Sequence, residues 1–153
     1  LRDVYKRQDL NIKWYVVGAG KLAQWLQDEI SNNKLENLVI PVGFKFNTGS
    51  IVKKMDVLVH PSRFEGKSNT VDEALYYNIP VVATNFETVY EQITNNENGF
   101  IVNMDGYEIA RKIEELYENK TTYQTIKTNI EKLNVEPSDK GKEFIETIKF
   151  IGG

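Results

Sequence analysis

Short apolar runs alternate with longer amphipathic stretches from residue 12 onward, and this alternation decides the fold class. The pattern is typical of a mainly parallel sheet wrapped by helices. The apolar runs are rich in β-branched residues and lack strict polar alternation, as expected for strands covered on both faces. They predict strands at residues 13–17, 37–42, 57–60, 80–84 and 99–102. The expected fold is therefore α/β, a Rossmann-like parallel sheet with helices on both faces.

The amphipathic stretches predict the helices. These are expected at residues 21–31, 50–55, 70–77, 88–94, 107–117 and 122–133, with a further helix at 141–150 after the break at Pro137. We expect five or more parallel strands in one sheet, and ligands of such sheets bind at the carboxyl ends of the strands. That edge should carry the loops at Gly18, Gly43, Pro61 and Thr84.

Composition excludes several classes of function. The chain has 153 residues, which suits one domain with its own core. Its formal net charge is −3 with acids and bases interleaved, so no nucleic-acid partner is expected. No apolar run approaches the roughly 20 residues that span a bilayer. The absence of cysteine and the single histidine disfavour a metal site, so none is expected.

The first eight residues, L-R-D-V-Y-K-R-Q, differ in character from the rest of the chain. They are charged, show no apolar period and start at Leu1 rather than at a methionine. We expect residues 1–8 to be a remnant that is foreign to the domain. Residues 9–153 would then form one domain of a longer protein.

The segment 18–23, G-A-G-K-L-A, matches the pattern G-x-G-x-x-A between a predicted strand and a predicted helix. Glycines in this pattern let the backbone approach phosphate over a helix N-terminus. A dinucleotide site also needs an acidic residue at the end of the second strand, whereas residues 39–43 read V-I-P-V-G. A nicotinamide cofactor is therefore disfavoured. Gly18 and Gly20 stay candidates for close approach by another ligand, and a tight turn with no ligand is the alternative interpretation.

The tripeptide Gly66-Lys67-Ser68 has the sequence that ends a P-loop, but the rest of the motif is missing. Pro61 stands where a P-loop has its first glycine, and proline has no N–H to donate. Glu65 would place a negative charge beside the phosphate. The sequence therefore does not predict a P-loop.

Two glutamates, Glu65 and Glu73, flank this tripeptide eight positions apart. Thr70 and Glu73 have the spacing of a capping box, so a purely structural role for Glu73 is one interpretation. Glu65 follows a predicted strand, and a solvated loop carboxylate is its simplest alternative. Two carboxylates that accept bonds from vicinal hydroxyls, beside helix amides that face phosphate, suit a nucleotide-sugar. His60 is expected to be a satisfied residue at the sheet edge rather than a catalyst, and Asn78 to end a helix in a left-handed conformation.

An ordered series of segments surrounds the two glutamates. It comprises V-V-G-A-G at 16–20, P-S-R-F-E-G at 61–66, D-E-A at 72–74, N-I-P-V-V-A-T at 78–84 and N-G-F-I-V at 98–102. In this order the segments resemble the core of family 4 glycosyltransferases, whose E-x7-E motif is matched by Glu65 and Glu73. The resemblance extends over about residues 12–118.

The resemblance implies one half of a GT-B fold, the C-terminal half that binds a nucleotide-sugar donor. It implies that Glu65 is the catalytic carboxylate that faces the donor sugar, and that Glu73 holds the ribose hydroxyls. The other donor-binding residues that it implies are Gly66, Lys67, Ser68 and Asn69 at the diphosphate, Gly18 and Gly20 at the first turn, and Gly43, Phe44 and Lys45 beside the base.

The resemblance also implies a retaining glycosyltransferase, hexosyl or other, that acts in bacterial cell-surface polysaccharide or glycoconjugate synthesis. The donor would be UDP- or GDP-linked, and no cofactor would be needed. A glycan or lipid-linked glycan acceptor would bind the other half, so this chain alone would be inactive. The expected location is the cytoplasm, with peripheral membrane association of the full-length protein. Two alternatives stay open: a GT-B epimerase or phosphorylase, and a non-catalytic nucleotide-binding α/β module.

Overall fold

The computed structural model describes residues 10–135, and within them it confirms the α/β class. The strands are β1 (Trp14–Val17), β2 (Val39–Gly43), β3 (Leu58–His60), β4 (Val81–Thr84) and β5 (Gly99–Val102). The α-helices are α1 (Ala23–Asn32), α2 (Gly49–Val52), α3 (Asn69–Tyr76), α4 (Gly106–Glu118) and α5 (Lys120–Val135), and a 3₁₀ helix (Glu87–Glu91) follows β4. The predicted leader at 1–8 and helix at 141–150 lie outside the described residues.

All strand pairs are parallel, but the strands form two sheets rather than one. β1 pairs with β2, and β4 pairs with both β3 and β5. Within residues 10–135 no ladder joins β1 to β3, so the prediction of one continuous five-stranded sheet is wrong. Trp14 of β1 packs against a core cluster of each sheet. Side-chain packing therefore joins the two sheets where backbone hydrogen bonds do not.

The central strand β4 is buried on both faces, as its unbroken apolar sequence predicts. Because successive side chains of a strand point to opposite faces, Val81 and Ala83 pack in one core cluster and Val82 in another. The first cluster also contains residues of α2, α3 and the 3₁₀ helix, and the second contains residues of α4 and α5. Helices on both faces are therefore confirmed for this sheet.

The β1–β2 sheet differs, because burial alternates along both of its strands. Val39 belongs to a core cluster with residues of α1, while Tyr15 and Val17 of β1 are 41% and 39% exposed. Within the described part of the chain, only one face of this sheet is covered by a helix. For these two strands the described residues confirm one covered face and do not test the other.

The helix predicted at 88–94 is a 3₁₀ helix that ends at Glu91. The side chain of Asn98 explains the early end, because its Oδ1 accepts from the Thr94 N–H and its Nδ2 donates to the Gln92 carbonyl. These backbone groups would otherwise continue the helix. The helix predicted at 50–55 is likewise shorter, since Lys54 and Met55 make 3₁₀-type bonds to residues three positions back.

The left-handed position at the end of α3 is confirmed. Asn78 has φ +58°, and its N–H donates to the Leu75 carbonyl while the Ile79 N–H donates to the Ala74 carbonyl. This is the Schellman arrangement, which an asparagine supports because it tolerates positive φ. It turns the chain directly into β4.

Candidate functional site

The two glycine turns after β1 and β2 meet at the carboxyl end of this sheet. The Gly18 N–H donates to the Gly43 carbonyl at 2.9 Å. Their φ angles are +133° and +67°, a region that favours glycine over any residue with a side chain. A Cβ added at Gly18, Gly20 or Gly43 would meet no atom within 4 Å. The backbone at these turns is therefore exposed to close approach by a ligand.

Helix α3 begins with Ser68 as its N-cap, and not with the Thr70–Glu73 capping box. Ser68 has extended φ and ψ, and its hydroxyl accepts from the Val71 N–H at 3.4 Å. Because the helix starts at Asn69, Glu73 lies in its second turn and cannot reach back to a cap. The capping-box interpretation of Glu73 is therefore wrong.

Glu73 instead binds a side chain from another part of the fold. Its Oε2 accepts from the Thr48 hydroxyl at 3.0 Å. Thr48 is the N-cap residue of α2, in the segment that follows β2. This hydrogen bond joins the carboxyl-end segment of the β1–β2 sheet to the helix that follows β3. Glu73 is partly exposed, so its remaining acceptor sites can face a ligand.

Glu65 lies in the exposed loop between β3 and α3, where its side chain keeps 36% of its surface accessible. The Ser62 hydroxyl lies 3.2 Å from Glu65 Oε2, and His60 Nε2 lies 3.4 Å from the same oxygen. His60 Nε2 is buried and makes no hydrogen bond of ordinary geometry within residues 10–135. The prediction of a satisfied histidine is therefore wrong, because its ring nitrogen faces the carboxylate without a well-formed bond.

The amide groups at the start of α3 divide into bonded and free ones. The Ser68 N–H donates to Gln92 Oε1 at 3.0 Å, which differs from the expectation that this amide faces a diphosphate. The N–H groups of Asn69 and Thr70 are the first two of the helix and have no partner in the described chain. Lys67 Nζ lies 3.0 Å from Asp72 Oδ2 and is largely exposed, so one cation stands beside these amides.

The end of β2 carries an exposed aromatic pair. The rings of Phe44 and Phe46 meet edge to face at 4.9 Å, and the two side chains are 62% and 97% exposed. Lys45 between them is also exposed. Exposed aromatic faces at a ligand edge can stack on a planar group.

Several residues that organise this site were missed by the sequence reasoning. They are Thr48, Ser62, Thr88 and Gln92. Thr48, Thr88 and Gln92 bind partners that lie 22 to 25 positions away in the chain, so no local pattern identifies them. Thr84 was expected only as a loop position, and its hydroxyl reaches the Ser62 carbonyl at 2.5 Å. The loops after β3 and β4 therefore meet at the expected edge.

Residues 10–135 contain no group of three or more histidine and acidic side chains that could hold a metal ion. Within the same residues, no helix has the length and apolar character needed to cross a membrane.

Comparison with known proteins identifies the family. Residues 1–133 match the family described as Glycosyl transferases group 1. CapM of Staphylococcus aureus, a capsular polysaccharide biosynthesis glycosyltransferase, is 36% identical over 81 residues, which are 52% of this chain and 21% of CapM. An uncharacterized glycosyltransferase of Methanocaldococcus jannaschii is 28% identical over 146 residues, which are 94% of this chain and 38% of that protein.

A solved structure has the same fold at low sequence identity. HepE of Anabaena, crystallised in complex with UDP-glucose, superimposes with a TM-score of 0.79 at 22% identity, over 97% of this chain and 44% of HepE. This chain thus spans less than half the length of each of these three proteins. The family match covers most of the chain, and the parallel α/β fold agrees with it. The chain therefore belongs to the Glycosyl transferases group 1 family and has the α/β fold of GT-B glycosyltransferases.

Proposed function

We propose that residues 9–153 are the donor-binding half of a retaining, family 4 glycosyltransferase, with Glu65 and Glu73 as its E-x7-E motif. One observation carries the proposal. In the chain the two carboxylates flank the free amides of Asn69 and Thr70, since Glu65 lies in the loop that follows β3 and Glu73 lies in the second turn of α3. Acceptors for sugar hydroxyls and donors for phosphate are thus combined at one edge of the sheet, which is what a nucleotide-sugar requires.

Glu73 would bind the ribose of the donor. The Thr48 hydroxyl occupies one acceptor position on its Oε2, and an ionised carboxylate has about four such positions. The remaining ones can accept both hydroxyls of a ribose diol. Thr48 would then orient the carboxylate from the β1–β2 side of the site.

The diphosphate would lie at the start of α3. The amides of Asn69 and Thr70 point out of the helix, and the positive end of the helix dipole favours an anion there. Lys67 adds a charge that can move from Asp72 to the phosphate, because it is 59% exposed. Gly66 and Ser68 would shape this turn, with Ser68 acting as the cap rather than as a donor.

In the chemical step, the bond between the anomeric carbon and the diphosphate oxygen breaks, and the electron pair leaves with the nucleoside diphosphate. The sugar passes through a state with positive charge at its anomeric carbon. The acceptor hydroxyl attacks from the same face, its oxygen forms the new bond to that carbon, and its proton passes to the departing diphosphate oxygen. The α3 amides would stabilise the leaving charge, which is the main electrostatic task of the site. Glu65 would orient the sugar and favour its positive charge, and the Ser62 hydroxyl, which is shared with the Phe64 carbonyl, lies within 3.2 Å of the carboxylate. Neither a metal nor a cofactor takes part in this scheme.

The base would lie against the turn of Gly43, Phe44 and Lys45, and Gly18 and Gly20 would let the donor approach the backbone of the adjoining turn closely. The open backbone and the exposed Phe44 ring support this placement. A UDP-linked donor is supported by HepE, which was crystallised with UDP-glucose, and GDP stays the alternative.

The acceptor would be a glycan or lipid-linked glycan held by the remainder of a longer protein, in surface polysaccharide or glycoconjugate synthesis. CapM, named for capsular polysaccharide biosynthesis, supports this context. The cytoplasmic location, the peripheral membrane association and the reading of residues 1–8 as a remnant stay predictions.

Calorimetric titration of this chain with UDP, GDP and free glucose tests the proposal. We expect one nucleoside diphosphate to bind and free glucose not to bind, since most recognition groups face the nucleotide. If neither UDP nor GDP binds, the proposal is wrong and the chain is a structural module. In the longer protein, the anomeric configuration of the transferred sugar, read by NMR, should equal that of the donor. An epimerised or phosphorylated sugar would instead favour the epimerase or phosphorylase alternative.

A further inference from the structure

Three polar side chains, from the last residue of β4 onward, form hydrogen bonds to the loop that carries Glu65. They are Thr84, Thr88 and Gln92, spaced four positions apart. Thr84 ends β4, Thr88 lies in the 3₁₀ helix, and Gln92 follows that helix. Each forms hydrogen bonds to the backbone of residues 60–68, from a distance of 22 to 24 positions along the chain.

The first anchor holds the start of the loop. The Thr84 hydroxyl lies 2.5 Å from the Ser62 carbonyl oxygen and 3.3 Å from that of His60. A hydroxyl has one proton, so the shorter contact is the main bond. Thr84 is completely buried, which excludes water as a competing partner.

The second anchor holds the backbone beside the catalytic candidate Glu65. The Thr88 hydroxyl lies 3.0 Å from the carbonyl oxygen of Glu65 and 2.8 Å from that of Gly66. By the same argument the shorter contact, to Gly66, is the main bond, so Thr88 holds the backbone directly after Glu65. Thr88 is only partly buried, so its replacement should not disrupt the core.

The third anchor holds the end of the loop and the first turn of α3. Gln92 Oε1 accepts from the Ser68 N–H at 3.0 Å, and its Nε2 donates to the Ser68 carbonyl at 2.8 Å and to Asp72 Oδ1 at 2.6 Å. Gln92 is 8% exposed, and these bonds pair its whole amide group. The position of the helix start, with the free amides that follow it, thus depends on this side chain.

The loop has little other support. Among the described residues, no backbone–backbone hydrogen bond involves residues 61–67. The segment that bears the anchors is firmly held instead, since Phe86, Val89 and Ile93 are each at most 3% exposed and belong to one core cluster. A rigid segment therefore fixes an irregular one by side-chain bonds at its start, middle and end.

We infer that Thr84, Thr88 and Gln92 are positioning residues for the donor site, which set the backbone of residues 61–68 and through it the placement of Glu65 and of the α3 amides. The identity of the ligand in this inference rests on the proposed function. The geometry of the loop is independent of the proposed function. Loop order and ligand affinity can therefore be tested apart.

The experiment compares Thr88→Val, which keeps the shape and removes the hydroxyl, with Thr88→Ser, which keeps the hydroxyl. Tyr123→Phe is the matched control, because it removes a hydroxyl that bonds to the Asp56 carbonyl away from the loop. Backbone ¹⁵N order parameters of residues 62–68 report loop order without any ligand. Calorimetric titration with UDP then reports the effect on the site.

We expect Thr88→Val to lower the order parameters of residues 65–67 from about 0.85 toward 0.6, the range that separates rigid from flexible backbone. UDP affinity should fall about twofold to tenfold, the factor that corresponds to one neutral hydrogen bond. Thr88→Ser and Tyr123→Phe should match the unmodified chain in both measurements.

Unchanged order parameters in a folded Thr88→Val chain would overturn the inference, and so would an equal change in Tyr123→Phe. Loop disorder with unchanged UDP affinity would assign the anchors to stability alone, which also overturns it. If the unmodified chain binds no UDP while Thr88→Val loosens the loop, the proposed function fails and the positioning of the loop stands.

As a second variant, Gln92→Glu keeps the acceptor for the Ser68 N–H but adds a charge beside Asp72, and it should also weaken UDP binding.

Discussion

Glu73→Gln separates the binding role of this residue from its structural one. The substitution preserves the shape of the side chain and still offers an oxygen to the Thr48 hydroxyl, which lies 3.0 Å from Glu73 Oε2. It removes the negative charge. The hydrogen bond from Thr48 and the hydrogen bond from a ribose hydroxyl therefore both change from charge-assisted to neutral bonds and become weaker. Folding stability reports the first bond and UDP affinity reports the second.

The two effects differ in magnitude and in readout. A bond to a charged group contributes about 1.5–3 kcal/mol and a neutral one about 0.5–1.5 kcal/mol, so losing the charge should cost about 1 kcal/mol of folding stability through Thr48. In a domain of this size that lowers Tm by about 2–4 °C. The same weakening of about 1 kcal/mol for each bond to the ribose should lower UDP affinity about fivefold if Glu73 binds one hydroxyl and about thirtyfold if it binds both.

Thr48→Val is the control, because it deletes the hydroxyl and leaves the carboxylate in place. We expect it to lower Tm by a similar amount while UDP affinity stays within about threefold of the unmodified chain. Thermal melts and UDP titrations of the three proteins decide the matter. If Glu73→Gln and Thr48→Val lower Tm equally and neither changes UDP affinity, Glu73 only ties α3 to α2, and the ribose role is refuted.

Two further predictions concern stability. Gly99→Ala should destabilise the fold by about 1–3 kcal/mol in urea denaturation, because the added Cβ would lie 2.9 Å from the Val81 carbonyl oxygen and overpack the buried sheet. Gly20→Ala, whose Cβ meets nothing within 4 Å, should change stability by less than about 0.5 kcal/mol; equal losses would contradict this. Glu108 has a pKa below its ordinary value, because the side chain and then the backbone N–H of Asn103 donate to its carboxylate. A carboxylate with a lowered pKa stabilises the fold at pH values above its pKa in the unfolded chain, and this stabilisation is lost as the pH falls through its pKa in the folded chain. The free energy of unfolding of the unmodified chain should therefore exceed that of Glu108→Gln by less as the pH is lowered. A difference between the two proteins that does not change with pH would refute this prediction.

The strands and the end of α3 could be predicted because their signals are local. The residues of β4 are apolar without interruption, and burial on both faces is the usual reason for such a run. Asn78 tolerates the left-handed conformation through its own side chain, so one residue type was enough to predict it. The apolar period alone failed for the 3₁₀ helix, because the group that ends it is a polar side chain, Asn98, which binds backbone four and six positions before it.

The start of α3 shows where local reasoning is insufficient. Ser68 and Thr70 can both cap a helix, and the sequence between them does not choose. The choice depends on Gln92, which binds both backbone groups of Ser68 from 24 positions away. His60 is similar, because its proximity to Glu65 depends on the path of the loop between them.

By itself, the sequence determined the α/β class, the five strands within about two residues and the two carboxylates that bracket a small-residue turn. Those features follow from hydrophobic periodicity and side-chain chemistry, which act over a few residues. Only the tertiary structure decided that the strands form two sheets, that Thr48 binds Glu73, and that Thr84, Thr88 and Gln92 hold the Glu65 loop. These contacts form between segments that parallel strand pairing brings together across a helical crossover, so their partners are fixed by packing and not by spacing along the chain.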